Sequence, residues 1–436
     1  MKAEVLPIKT AAETALAEAF ASNKSRLPGG HDVAARREAA FRRFEAAGLP
    51  HRRIEEWKYT DLRTLMRDAK PLARASDATR VEPRDLAGIL PGIDAHRIVI
   101  HNGAFAPALS DTSTDRGFAV VELFDWLADN LGSRRDPEQP DIALALNAAF
   151  MTGGVVLHVK KDARIDKPIH LAHVFTGDAA AAMYPRTLVF VDAGANVTLI
   201  ETFEGPAGLD YQVNTALELT VGDGANVERI KIGREGAGAL HISTVTAVVG
   251  AQAHYRDFAF TTGSAVTRNQ LFVRCPGDGS KVRIAGANLI KDRQHVDTTL
   301  VIDHAALGCE SREMFKSVLD GESRGVFQGK IIVRPGAQKT DGRMMTQALL
   351  LSDNAEADNK PELEIFADDV QCGHGATAGR LDDNLLFYLM ARGIPQQEAE
   401  ALLIQGFVGE ALDGVAHAGV REALTGRVQA WLAARG

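Results

Sequence analysis

Between about residues 151 and 345, apolar and polar positions alternate in short runs that are broken by clusters of Gly, Asp, Ala and Asn. In Leu217-Glu218-Leu219-Thr220-Val221 every second residue is apolar, so an extended chain can bury one face and leave the other wet. The turn phrases repeat in similar wording: Val191-Asp-Ala-Gly-Ala-Asn-Val197, Val221-Gly-Asp-Gly-Ala-Asn-Val227, Val249-Gly-Ala-Gln-Ala253 and Pro276-Gly-Asp-Gly-Ser280. Successive copies lie roughly 26 to 30 residues apart, the period of stacked coils that bury a face against their neighbours. A double-sheet sandwich also has short strands and frequent turns and stays open as the alternative. The predicted fold is mainly β, a β-helix core over residues 151–360.

Helical periodicity occupies both ends. Residues 1–150 form a helical and mixed region, in which Ala40, Phe41, Phe44 and Ala47 share a face ended by Gly48 and Pro50, and Arg97-Ile98-Val99-Ile100 reads as a strand. Residues 361–436 return to helix. There Asp382 caps a helix presenting Leu385, Leu386 and Leu389, Gly393 ends it, and Pro395 opens the next. The following stripes are Ala399, Leu402, Leu403 and Phe407, then Val420, Leu424, Val428 and Trp431. Packing on the β body explains such stripes, and docking of a partner is the other reading.

Composition narrows the functional classes. The chain has 436 residues, 45% hydrophobic and 24% charged, enough for a sizeable core without staples. A net charge of -8 supplies no field for nucleic acid or anionic lipid. Cys275, Cys309 and Cys372 are widely spaced, which is neither a disulfide framework nor a zinc ribbon. With no signal-peptide core and no apolar run of membrane-spanning length, a cytoplasmic location is expected. Gly325-Val-Phe-Gln-Gly329-Lys330 is too short for a phosphate loop and runs into Ile331, so ATP hydrolysis is not expected of this chain.

One constellation stands out: Asp368-Asp-Val-Gln-Cys372-Gly-His374-Gly375. On an extended segment Cys372 and His374 project from one face, where a thiolate and an imidazole can meet one metal or cluster. Tetrahedral iron or zinc takes four donors, so the pair is half a site, to be completed from elsewhere in the chain or from a second subunit. On the residues alone, a packed Cys with a hydrogen-bonded His, a half-site and a Cys/His nucleophile pair all remain open. Core packing is the expected role of Cys275 and Cys309.

A series of phrases resembles the SufB/SufD family of iron-sulfur assembly scaffolds. They are Gly325-Val-Phe-Gln-Gly-Lys-Ile331, Gln338-Lys-Thr-Asp341, Leu349-Leu-Leu-Ser352, Pro361-Glu-Leu-Glu-Ile365, Cys372-Gly-His-Gly-Ala-Thr377, Leu386-Phe-Tyr-Leu389 and Ala391-Arg-Gly-Ile394, with Glu56-Trp-Lys-Tyr-Thr60 upstream. The Cys-Gly-His-Gly-Ala-Thr wording is similar to the SufD rather than the SufB branch. The resemblance implies a right-handed parallel β-helix flanked by helical regions and a non-catalytic scaffold. It also implies SufB and the ATPase SufC as partners, sulfur from a cysteine desulfurase, and a transient iron-sulfur cluster or iron shared with SufB. It places cluster contacts at His374 and Cys372, and SufC contacts at Leu386, Phe387, Tyr388, Arg392, Gly393 and Phe407. A homodimer of the isolated chain is left open.

Overall fold

The structure is a computed structural model that describes residues 9–73, 90–112, 117–130 and 141–435. The strongly alternating middle of the chain forms a β-solenoid of about 8 turns. From Gly153 to Gly379 successive strands are laid alternately onto two sheets, and within each sheet almost every neighbour is parallel. Ladder partners lie one coil apart in sequence, from Leu240 beside Val266 to Arg324 beside Glu356. The expected period is therefore present, slightly widened towards the C-terminal end.

The apolar positions of the alternating runs face the lumen between the sheets. Val197, Val227, Tyr255 and Val282 stand in one register column, buried with Leu217, Leu219, Val245, Leu271, Leu300 and Ile331 from the opposite sheet. Each such side chain contributes on the order of 1.5–3 kcal/mol by leaving water. One edge of the solenoid is built from the repeated turn phrases. Asp162, Gly194, Gly224, Gln252, Gly279, Gly308 and Lys339 all have positive φ, and each donates its backbone N–H to a carbonyl of the next coil, as in Gly194 to Asp223 at 2.9 Å and Gly224 to Ala251 at 2.8 Å. Glycine adopts that conformation without strain, so it fills four of these seven positions.

The two sheets are covered differently. Helices α1 (Ala11–Asn23), α2 (His31–Ala47) and α3 (Ile142–Phe150) pack their apolar faces together and onto the first sheet, with Phe20, Phe41, Phe44, Leu146 and Phe150 meeting Leu240, Ile242 and Val266. A capping box starts α1, Glu13 N–H donating to Thr10 Oγ1 at 3.2 Å and Thr10 N–H to Glu13 Oε2 at 2.7 Å. The C-terminal helices are α4 (Asp383–Met390), α5 (Gln396–Leu412) and α6 (Ala418–Ala433). Of these, α5 and α6 cover the second sheet, where Ile404, Val408, Val420 and Leu424 meet Ile200, Ile230, Phe258 and Val318.

Several sequence expectations shift. The solenoid does not end at residue 360. Glu356–Ile365 and Gln371–Gly379 are its last two strands, so the Cys-Gly-His phrase belongs to the final coil and not to the head of the helical region. The strand read at Arg97–Ile100 is present as His96–His101 and extends the second sheet, while Phe118–Glu122, inside the region read as helical and mixed, is a further strand that extends the first. Ala47 is exposed. On α5 the buried stripe is Ala399, Ile404, Val408 and Ala411, while Leu402 is 44% exposed, because the helix is turned so that Ile404 meets the sheet. The Ala/Arg/Pro-rich stretch at 71–84 lies largely outside the described residues.

Candidate functional site

Parallel pairing in register turns single residues into columns that run the length of the solenoid. One lumenal column is Leu199, Arg229, Asp257, Ile284, Glu313, Met344 and His374. Its neighbour is Val197, Val227, Tyr255, Val282, Ser311, Gly342 and Cys372. Thus Cys372 and His374 end adjacent columns on the inner face of the last strand, where no further coil covers them among the described residues. Cys372 is half-buried against the apolar lumen and His374 is exposed. Gly373 between them faces outward, with nothing within 4 Å of where a Cβ would stand.

Two carboxyls, Asp341 and Glu313, lie near this end. Burial pushes the Cys372 thiol up; the Gly342 backbone opposes this, and the carboxyls of Asp341 and Glu313 add to it. The thiol is therefore protonated at neutral pH until a cation replaces its proton. One rung below Met344, Glu313 is buried in the lumen, and neither carboxyl oxygen has a hydrogen-bond partner among the described residues. Burial, offset only in part by Ser311 and Arg312, pushes its carboxyl up to about 8. The Ser311 hydroxyl is engaged with His304, Nε2 to Oγ 3.0 Å.

Deeper in the lumen the same column carries a closed ionic network. Arg229 donates from Nε to Glu201 at 2.6 Å and from Nη1 to Asp257 at 2.8 Å, and Tyr255 donates to Asp257 at 2.5 Å. Lys231 lies 2.8 Å from His241 Nε2 and donates to Asn269 at 2.6 Å; burial, then Arg229, brings its ammonium down to about 7. Cys275 and Cys309 are fully buried, and Ser280 donates to Cys309 Sγ at 3.2 Å. Burial pushes Cys275 up to about 12, which makes it an inert core thiol.

Of the residues singled out in the sequence, Cys372 and His374 are brought together on the last strand, and the helix residues stand apart from them, after the far end of that strand. Asp382 caps α4, its Oδ1 accepting from Asn384 N–H at 2.8 Å. This helix buries nothing: Leu385 is 51%, Phe387 73% and Tyr388 52% exposed. Arg392 lies 3.7 Å over the Tyr388 ring, and Gly393 ends the turn at φ +85°. Phe407 is set apart from them on α5, with Lys316 Nζ 4.3 Å over its ring. No three His, Cys, Asp or Glu side chains among the described residues are grouped as a metal would need. No helix among them is long and apolar enough to cross a membrane. Glu313 and the ionic network escaped the sequence reading; the available signal was their common place in a repeat of about one coil.

Comparison with known proteins agrees with this architecture. Residues 11–171 match the model of the SufBD protein N-terminal region, and residues 173–407 match that of the SUF system FeS cluster assembly, SufBD core domain. The chain is 31% identical over 385 residues to the iron-sulfur cluster assembly protein SufD of Escherichia coli, covering 87% of this chain and 89% of that one. It is 30% identical over 399 residues to an iron-sulfur cluster assembly SufBD family protein of Synechocystis, with 87% of each chain covered. The SufD of Bacillus subtilis is 26% identical over 287 residues, 65% of each. A solenoid whose last strand carries Cys372 and His374, matched over nearly its whole length by these models, belongs to the SufBD family of iron-sulfur cluster assembly proteins.

Proposed function

We propose that this chain is a non-catalytic scaffold that holds iron or a nascent iron-sulfur cluster at the open end of its solenoid, with His374 and Cys372 as donors. The observation that carries this reading is the position of the Cys-Gly-His strand: it is the terminal rung, so two soft or borderline donors stand at the open end of the lumen with no coil above them among the described residues. Two donors are half a tetrahedral set, and a SufB-type subunit stacked on this end would supply the rest. Sulfur would come from a cysteine desulfurase. A SufC-type ATPase would dock on the uncovered face of α4, and ATP binding there would shift the two scaffolds between closed and cluster-accepting arrangements. The raised thiol of Cys372 makes the His374 imidazole the first ligand and Cys372 a ligand only after losing its proton.

The exposed apolar residues of α4 equally favour a narrower role, an architectural SufC-binding subunit with no cluster ligands. The experiment that separates the two is co-expression of the chain with SufB- and SufC-type partners, anaerobic purification, and iron and sulfide analysis of wild type beside His374→Ala. Loss of iron and sulfide from an intact complex is expected. Unchanged iron and sulfide would leave only the architectural role.

A further inference from the structure

The outer face of the second sheet carries a line of arginines. Arg256, Arg283, Arg312 and Arg343 occupy successive rungs of one column, which runs from Thr198 through Glu228 and ends at Gly373. Their neighbours in sequence, Tyr255, Asp257, Val282 and Ile284, are buried in the lumen, so the guanidinium groups project outward. Rungs are about 4.8 Å apart, and four arginines therefore span about 14 Å in a straight row. Only the two nearest the open end have an acidic partner, and they share one carboxylate: Arg312 reaches Asp341 at 2.6 Å and Arg343 reaches it at 3.3 Å. Among the described residues Arg256 and Arg283 form no hydrogen bond or ion pair, while in the adjacent column exposed His254 precedes Lys281, which pairs with Glu310 at 3.2 Å.

Like charges one rung apart repel, so the row works against the fold that displays it. In a chain of net charge -8, local accumulation of cations on one strip is not a by-product of composition. The column on its other side contains Met314, half-buried, and Met345, 37% exposed, two adaptable apolar side chains flanking the charges.

We propose that this strip is a docking surface for an acidic α-helix of a partner protein. Carboxylates at i, i+4 and i+7 lie about 5–6 Å apart along one helix face, which matches the rung spacing, and the methionines accept the apolar residues beside such a stripe. A nucleic acid would need a broad positive field, which the overall charge denies. Because the column ends at Gly373, a helix on the strip would lie against the back of the strand whose other face presents Cys372 and His374. The inference rests on the arginine row alone and stands whether or not those two residues hold a cluster.

The test uses the full chain and a fluorescein-labelled, alanine-based helical peptide with glutamates at i, i+4, i+7 and i+11, read by fluorescence anisotropy at low salt. Binding is expected to weaken by about tenfold in the Arg256→Ala/Arg283→Ala double variant, as for loss of two exposed ion pairs. It should be unchanged in Arg293→Ala, an exposed arginine paired with Glu322 elsewhere on the solenoid. Failure of wild type to bind the peptide, equal binding of a peptide with its glutamates scattered round the helix, or an unaffected double variant would each overturn the proposal. Inorganic polyphosphate displacing the probe at lower concentration than the unlabelled peptide would make this a general polyanion surface and overturn it too. Thermal unfolding of Arg283→Gln is expected at the same or a higher temperature; a drop of several degrees would assign the guanidinium to the fold instead.

Discussion

Glu313 illustrates how a single side chain in a solenoid takes its properties from residues remote in sequence. Its own strand, Glu310–Leu319, reads ESREMFKSVL, and nothing in that wording distinguishes Glu313 from Glu310, which is half-buried and paired with Lys281. The lumenal column does, by placing it above Ile284 and beneath Met344. With its carboxyl pushed from 4.5 to about 8, the folded chain keeps a proton that the unfolded chain gives up above pH 4.5. The contribution to stability is thus complete below pH 4.5 and is lost as pH rises towards 8, by up to about 1.4 kcal/mol per pH unit. Glu313→Gln should unfold close to wild type at pH 5 and at a clearly higher temperature at pH 8, measured by calorimetry. A difference independent of pH would show that Glu313 is already ionised in the folded state. Cys372 and His374, by contrast, were legible in the sequence because an i, i+2 pair on an extended segment needs no distant neighbour to share a face.

At the scale of elements, the Glu-Trp-Lys-Tyr-Thr phrase proves to be a staple. Trp57 is buried with the Arg268 guanidinium 3.8 Å over its ring and donates from Nε1 to Asp141 at 3.2 Å. Arg268 donates to the Glu56 carbonyl at 2.6 Å and Gln328 to the same carbonyl at 3.2 Å, while Thr60 meets His295 and Asp297. Residues 55–60 therefore tie together four successive strands of the first sheet, ending at Lys360, which lies 2.5 Å from Glu55. Trp57→Ala is expected to cost about 3–5 kcal/mol and to speed proteolysis in α1 and α2 ahead of the solenoid. Uniform loss of protection across the chain would argue against a local staple. Sequence could mark this phrase but not its target, since Arg268 and Asp297 are more than two hundred residues away. Helix caps were easier: Asp382, Gly393 and Pro395 act locally and stand where their chemistry predicts, whereas the buried stripe of α5 depends on a sheet that no helical period describes.

For the molecule as a whole, stability is additive along the solenoid axis, because each coil touches chiefly the coils on either side. The centre has the ionic network of Glu201, Arg229 and Asp257 and neighbours above and below; the last strand, Gln371–Gly379, has a partner on one side only among the described residues. Amide hydrogen exchange should accordingly be slowest in strands between 226 and 275 and fastest among the solenoid strands in 371–379. Equal protection throughout would mean that the chain opens only as one unit. The repeated turn phrases made the solenoid legible, as the alternation at 97–100 did the strand His96–His101, while Phe118–Glu122 was hidden in mixed sequence that pairs only once Gly153–Val159 is in place.

The row of left-handed turns at Gly194, Gly224, Gly279 and Gly308 also makes the protein a ruler. Each repeat advances the chain by one strand spacing, about 4.8 Å, so the separation between the first coil, at Gly153–Val159, and the cysteine-histidine end is counted out in whole coils. Removing one coil would retain every ladder bond within the remaining coils yet bring the two ends nearer by that one graduation, and an assembly that grips both would read the change as a misfit.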